Sequence, residues 1–549
     1  MNGGKVLLNV LKNEGVEKIF GYPGGAVIPL YNELYDMTDY FDHYRTAHEQ
    51  AAVHGADAYA RVSGKPGVCF ATSGPGATNT VTGIANAYMD SVPMVIITGQ
   101  VPSALMGRDS FQEIDITGVT MSITKHNFII KKVEDIEKTV KDALKLCNTG
   151  RKGPVLIDVP KDFFSKEVDW SGYEGVEKTS VEDLMPELDK LDEAVEKIKK
   201  SKRPVIYAGG GVLASNSAKE LFELAVKNDI PVVNTLMGLG TFPRDHKNSL
   251  GMVGMHGFSE ANMAVTDCDL LIAVGARFSD RVIGHPEEFA KRAEIIHIDI
   301  DRTEIGKNMD VSLYLMGKAS GIMKYISDNL DEIKRDIWFD EIYSNEKDIK
   351  YLSNFNPKTI LETVNGHVGD NSIVATDVGQ HQMWTAQYWK FKNPKSFITS
   401  GGLGTMGFGL GAAIGAKIAE PKKDVVLITG DGSFRMNCNE MATLSGYGIP
   451  VLMVMFNNNA LGMVRQWQKM FQEERYSETC INNDVDYVKL SEAYNIKGFR
   501  VNNEEELKEA LKSYDGKSSV FIECVIEKDE NVIPIVPPGK PIYDLITGW

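Results

Sequence analysis

The chain has 549 residues, room for three or four domains at about 150 residues each. With 43% hydrophobic, 24% charged and 9% aromatic residues it has the makeup of a globular protein with several cores, not of a disordered chain. Fifty-nine basic against 75 acidic residues leave a net charge of −16, which repels a phosphate backbone or an anionic lipid surface; nucleic acid and membrane are not expected partners, while a small anionic substrate in a local basic pocket stays open.

The first predicted element is a helix with Val6, Leu7, Val10 and Leu11 on one face and Gly15 as its stop. With Lys5, Lys12 and Glu14 in it, this opening is not a signal peptide. A strand over 16–20 runs into the turn Gly21-Tyr22-Pro23-Gly24-Gly25, and strands over 67–71 and 94–98 follow, the former entering Thr72-Ser73-Gly74-Pro75-Gly76. Strands alternating with helices predict a parallel sheet covered on both faces, here a first domain over 1–165. Residues 161–187 are charged and read as a linker. A second domain over 186–330 begins with a helix near Pro186 carrying Leu188, Leu191, Val195 and Ile198, then strands over 204–208, 230–234, 270–274 and 294–298. Another charged stretch, 328–352, precedes a third domain over 355–549 with strands at 372–376, 425–429, 451–456 and 520–525. Residues 398–416 carry no charge but hold seven glycines, which predicts closely packed backbone rather than a membrane span. The tail 534–549, with four prolines, is expected to be irregular and to act as a cover. Six cysteines without a CxxC pair predict free thiols in a reducing, cytoplasmic setting. The fold class is therefore α/β, with three domains that are each a mainly parallel sheet flanked by helices. The strand-to-glycine-turn pattern at 68–76 recurs at 425–432, as either a remote duplication of the first domain or convergence on the same unit would produce.

The chemistry is concentrated in Thr429-Gly430-Asp431-Gly432-Ser433 and in Asn457-Asn458-Asn459 at the end of the next strand. The separation of Asp431 and Asn458 suits two neighbouring parallel strands and their crossover helix, which brings both side chains to the C-terminal sheet edge where open α/β folds bind ligands. A carboxylate and an amide oxygen suit Mg²⁺, which takes its remaining ligands from phosphate and water, and the glycines let backbone amides approach a diphosphate.

These residues resemble the thiamine-diphosphate signature. The resemblance implies Mg²⁺ ligands at Asp431, Asn458 and the carbonyl of Ala460, and Met463 as the bulky residue that bends the coenzyme. Arg45 to Ala52 is similar to the pyrimidine-domain segment of that superfamily and maps its glutamate to Glu49, whose carboxyl group, bonded to the pyrimidine N1′, would favour the imino tautomer that takes a proton from the thiazolium C2. Phe20 to Pro29, Phe111-Gln112-Glu113-Ile114-Asp115, Thr124-Lys125-His126-Asn127, Asp377 to Trp384 and Leu461 to Gln468 narrow the resemblance to acetohydroxyacid synthase (acetolactate synthase) catalytic subunits. It then implies catalytic roles for Glu49, Gln112, Lys125, Arg281 and Trp467. Arg281 would pair with a substrate carboxylate, and Trp467 would favour 2-ketobutyrate over pyruvate as acceptor. Further coenzyme contacts are implied at Gly24, Gln380, His381, Met406, Gly430, Gly432 and Ser433.

In the central domain, Gly254 to Gly257 and Gly275 to Val282 resemble the family's FAD-binding segments of a Rossmann-like domain, although Ser279 stands where the family usually has Asp. FAD contacts are implied at Arg151, Met255, His256, Gly275, Arg277 and Asp299, with the flavin structural because the net reaction moves no electrons. The implied activity is decarboxylation of pyruvate and ligation of the two-carbon unit to pyruvate or 2-ketobutyrate, the first common step of valine, leucine and isoleucine synthesis. A homodimer or higher oligomer is implied, and a small regulatory subunit is common in the family. Pyruvate oxidase, which would reduce FAD on adding pyruvate, a 2-keto acid decarboxylase and glyoxylate carboligase, which lacks the glutamate, are the alternatives among thiamine enzymes; a silent nucleotide-binding scaffold is the alternative of another class.

Overall fold

The computed structural model describes residues 1–173, 184–345, 349–481 and 485–548. Among these described residues eighteen strands form three sheets. The first holds β1 (Lys18–Gly21), β2 (Asp42–Arg45), β3 (Gly67–Ala71), β4 (Met94–Gln100), β5 (His126–Ile129) and β6 (Pro154–Pro160) in the order β2-β1-β3-β4-β6-β5. The second holds β7 (Pro204–Ala208), β8 (Val232–Asn234), β9 (Ser249–Met252), β10 (Leu270–Val274), β11 (Glu294–Asp299) and β12 (Leu313–Met316) in the order β12-β11-β10-β7-β8-β9. The third holds β13 (Ile373–Thr376), β14 (Phe397–Ile398), β15 (Val425–Gly430), β16 (Leu452–Asn457), β17 (Lys497–Val501) and β18 (Val520–Val525) in the order β14-β13-β15-β16-β18-β17. All neighbouring strands are parallel. Counted within each sheet, the first and third share one order, 2-1-3-4-6-5, as a duplication predicts. The second reads 3-2-1-4-5-6, the order of doubly wound dinucleotide-binding sheets.

Burial on both faces explains the apolar runs. In the first sheet Val68, Phe70, Val95 and Ile97 belong to one core, whereas Cys69, Ile96 and Leu156 belong to another on the opposite face. Two helices join the first domain to the third. The helix Glu49–Ser63 is capped by the His48 side chain, which accepts from the Gln50 amide, and ends at Gly64 with φ +77°. It lies on the buried helix Phe408–Ala419, and the approach is so close that a Cβ on Gly415 would stand 1.9 Å from the Gly55 carbonyl oxygen. The glycine-rich segment thus serves backbone contact; among the described residues no helix is long and apolar enough to cross a membrane.

Both charged stretches hold more structure than expected. The first contains the helix Lys161–Ser165 with Phe163 and Phe164 buried; part of the expected linker, 174–183, lies outside the described residues. The second contains the helix Asp336–Tyr343, whose Trp338 and Ile342 enter the central core, and Arg335 donates to the carbonyls of Asn228 and Ile198. Charge in these segments marks the solvent face of packed helices. The tail is irregular and packed: the Val536 amide donates to the Met255 carbonyl at 2.8 Å, and Ile535 pairs with Ile546.

Candidate active site

One half of the site lies at the C-terminal edge of the first sheet. Glu49, the first residue of its helix, is 9% exposed and accepts from Asn79 Nδ2 at 2.9 Å. Gly76 passes so near that a Cβ there would lie 3.2 Å from Glu49 Oε1. Gly24 packs on Thr72, where a Cβ would meet Cγ2 at 2.4 Å, and the Thr72 hydroxyl accepts from the Ala26 amide at 3.1 Å. Gln112 adopts φ +61° and rests against Gly74, itself at φ +57°. The glycines leave a cradle beside a buried carboxyl group. Lys125 is not brought into this cluster: its ammonium group donates to the carbonyls of Leu146 and Thr149, both at 2.6 Å, at the end of the helix Ile136–Asn148.

The other half lies at the matching edge of the third sheet. β15 and β16 are paired in register from Val426↔Leu452 to Gly430↔Phe456, so Asp431 and Asn458 emerge side by side. Asp431 is 2% exposed, burial raises its pKa to about 7, and its Oδ2 has no hydrogen-bond partner among the described residues. Asn459, with φ +52°, turns the chain, and Asn458 Oδ1 accepts from the Ala460 amide at 3.2 Å. Asn458 Nδ2 donates to Gln380 Oε1 at 3.2 Å, while Gln380 Nε2 donates to Gln466 Oε1 and to the Glu530 carbonyl, both at 3.0 Å. His381 is buried with Nε2 unpartnered, and burial lowers its pKa to about 3. Gly430 makes room for its ring, since a Cβ there would lie 2.7 Å from Nδ1. Ser433 Oγ donates to the Val378 carbonyl at 2.6 Å, and a Cβ on Gly432 would lie 2.7 Å from Leu461 Cδ2. An orphaned buried carboxylate oxygen beside amide oxygens and a glycine-lined helix start fits a hard divalent cation and a diphosphate.

A cavity of about 1310 Å³ runs from this edge to the central domain and is lined by residues of all three domains. Met406, Met463 and Trp467 line it on the third-domain side, and Glu49, Gly24 and Gln112 lie outside it. The Arg281 guanidinium stands 5.6 Å over the Trp467 ring, and Arg281 Nη1 is 3.8 Å from the Met255 sulfur. An exposed cation stacked on an aromatic face in the lining of a cavity can receive a carboxylate.

The far end lies at the switch point between β7 and β10. A Cβ on Gly209 would meet the Gly275 carbonyl oxygen at 2.1 Å, and Gly275 itself has φ +56°, so both turns need glycine to meet here. Arg277, Asp299, Met255 and His256 line the same crevice. His256 is buried with Nδ1 unpartnered, and burial lowers its pKa to about 4. Asp299 accepts from the Asp301 amide at 2.9 Å. Arg151 reaches across from the first domain to Glu304 at 2.7 Å and Asp301 at 3.3 Å, and its Nε donates to Ser91 Oγ.

Several residues that shape the site escaped sequence reasoning. Asp90, with its side chain wholly buried, accepts from the amides of Gly401 and Gly402 and from Arg61, fixing the loop before Met406. Asp377 accepts from the Gly407 amide at 2.6 Å, and burial raises its pKa to about 6. Asp90 has no sequence signature, because it works through long-range contacts, and Asp377 opens the segment Asp377 to Trp384 without having been given a role of its own. Thr72 sits inside a turn whose glycines drew the attention.

Comparison with known proteins agrees with the geometry. Residues 1–119 match the family described as "Thiamine pyrophosphate enzyme, N-terminal TPP binding domain", residues 191–326 its central domain and residues 377–524 its C-terminal TPP binding domain. The chain is 47% identical to the "Probable acetolactate synthase large subunit" of Methanocaldococcus jannaschii, over 100% of this chain and 95% of that protein. It is 42% identical to the acetolactate synthase large subunit of Lactococcus lactis, over 99% and 96%, and 40% identical to that of Haemophilus influenzae, over 100% and 98%. This chain therefore belongs to the thiamine pyrophosphate enzymes, in the acetolactate synthase large-subunit family.

Proposed function

We propose that the chain is the catalytic subunit of an acetolactate synthase, which joins the two-carbon unit of pyruvate to a second pyruvate or to 2-ketobutyrate in branched-chain amino acid synthesis. The observation that carries this reading is the buried Asp431–Asn458 pair at the third-sheet edge, beside a cavity that Val378, Gly379 and Met463 line together with Arg281 stacked on Trp467. Asp431, Asn458 and Ala460 would hold Mg²⁺, with Gln380, His381, Gly430, Gly432 and Ser433 around the diphosphate and Met406 and Met463 behind the thiazolium. When bound, thiamine diphosphate supplies the nucleophile and electron sink for releasing CO2 from a 2-keto acid. Glu49 would offer its carboxyl group to the pyrimidine N1′, and its burial keeps competing water away. Arg281 binds the carboxylate of the incoming keto acid, and Trp467 limits the space beside its alkyl group. Gln112, packed against Gly74, would contribute its amide beside the Glu49 cradle.

The crevice at the β7–β10 switch point would hold FAD in a structural role, with Arg277 and Asp299 at its polar part and Arg151 closing the side. Within one chain Glu49 lies outside the cavity that Met406, Met463 and Trp467 line, which supports a homodimer in which each coenzyme lies between the first domain of one copy and the third domain of its partner. Exposed apolar side chains flank both halves, Phe111 at 88% and Met121 at 70% near the first and Met436 at 55% near the second, and a partner copy would cover them. The relatives' naming as large subunits supports a smaller regulatory partner as well, and we place the enzyme in the cytoplasm.

Purified protein given pyruvate, thiamine diphosphate, Mg²⁺ and FAD should form acetolactate, detected as acetoin after acid treatment. Absence of product, or bleaching of the flavin on adding pyruvate, would overturn the assignment; the latter would point to an oxidase.

A further inference from the structure

Glu523, at the centre of β18, is almost wholly buried and spends its two oxygens on different tasks. Oε2 accepts from Arg500 Nε at 2.8 Å, across the pair with edge strand β17. Oε1 accepts from Asn457 Nδ2 at 2.6 Å. That contact fixes the orientation of the Asn457 amide, because with its NH2 group directed to the carboxylate its oxygen faces the turn and accepts from the Asn459 amide at 3.0 Å. The turn so held contains Asn458 and Ala460. A buried carboxylate is costly away from water, and Arg500, being half-exposed, compensates only one side of it.

We propose that Glu523 is a positioning residue that sets the divalent-cation affinity of the Asn457–Ala460 turn, acting through Asn457. This rests on the reading that Asp431, Asn458 and Ala460 hold that cation. A buried carboxylate bonded to the residue before the ligand Asn458 stands where outer carboxylates act at metal sites.

The alternative role is a plain staple between β17 and β18, and two substitutions separate the two. Both Glu523→Gln and Arg500→Gln break the same ion pair, but only the first alters the group facing Asn457. Mn²⁺ is titrated into the full-length protein with thiamine diphosphate, and free Mn²⁺ is read by electron paramagnetic resonance. Glu523→Gln should raise the Mn²⁺ Kd about 10-fold or more, while Arg500→Gln should leave it within about twofold or lower it. Asn457→Ala keeps the ion pair and should weaken Mn²⁺ like Glu523→Gln, which also covers the case in which that variant folds poorly. Equal shifts for Glu523→Gln and Arg500→Gln, or no shift for Glu523→Gln and Asn457→Ala while Asp431→Asn abolishes binding, overturn the inference alone. Wild-type Mn²⁺ affinity in Asp431→Asn would instead remove the cation-site reading beneath it.

Discussion

Substituting Gly415 by alanine tests the joint on which the first half-site is mounted. The new Cβ would lie 1.9 Å from the Gly55 carbonyl oxygen and 2.7 Å from its carbon, and both belong to helix backbone that cannot swing aside. A carbon–oxygen contact relaxes at about 3.3 Å, so the helices Glu49–Ser63 and Phe408–Ala419 must part by roughly 1.4 Å. Overpacking of this kind costs about 1–3 kcal/mol. Glu49 is the first residue of the displaced helix, and misplacement by ~1 Å can cost on the order of 10²-fold in rate. Gly415→Ala should therefore lower the denaturation midpoint and reduce kcat/KM for pyruvate by about 10- to 100-fold. Gly446 is the internal control: it too is helical, but a Cβ there meets nothing within 4 Å, so Gly446→Ala should stabilise by about 0.5–1 kcal/mol and leave activity unchanged. Chemical denaturation of the two proteins side by side decides. Equal effects, or a neutral Gly415→Ala, would refute the argument that backbone contact fixes the position of Glu49.

Asp158 is buried in β6 and among the described residues has no counter-charge, accepting from Thr98 Oγ1 and Gln100 Nε2, and burial raises its pKa to about 6. The native state thus holds a proton there that the unfolded chain releases near pH 4, so this group costs stability as pH rises from about 4 to 6; Asp158→Asn should remove that slope and gain on the order of 1–3 kcal/mol at pH 7 in denaturant titrations. No gain, or an unchanged slope, counts against it. Trp467→Leu removes the ring under Arg281 and, in the role proposed for it, the wall of the acceptor space, so competition between pyruvate and 2-ketobutyrate should show selection of 2-ketobutyrate falling at least ~10-fold; an unchanged product ratio would exclude Trp467 from acceptor choice. Dialysis against a chelator should abolish activity and release the coenzyme, with Mg²⁺ and thiamine diphosphate restoring both; full activity without divalent cation would contradict the assignment of the Asp431 cradle.

Strands buried on both faces were legible. The apolar runs at 67–71, 204–208 and 270–274 coincide with β3, β7 and β10. The unread strands β2, β5, β9, β12, β14 and β17 are the edges of their sheets. An edge strand is half-solvated and short, so Asp42–Arg45 and Lys497–Val501 carry charges that hide them. β6 is internal and was missed for another reason: Asp158 interrupts its apolar run and proline bounds it at both ends. In the site, Asp431 and Asn458 were legible because adjacent parallel strands deliver both to one edge. Asp90 and Glu523 were not, since each acts on backbone or side chains far away in sequence. Lys125, named through resemblance, holds helix-end carbonyls within this chain, and spacing along the sequence gives no hint of that.

The central claim, that one coenzyme is shared between the Glu49 half of one copy and the Asp431 half of another, is tested most directly by subunit complementation. Glu49→Gln and Asp431→Asn chains, each inactive alone, are unfolded together, refolded as a mixture and assayed for acetolactate. In a mixed dimer one of the two sites then receives both native halves, so the mixture should recover about a quarter of wild-type activity. Recovery of none, with mixed dimers verified by mass spectrometry, would place both groups in one chain's site and contradict the account.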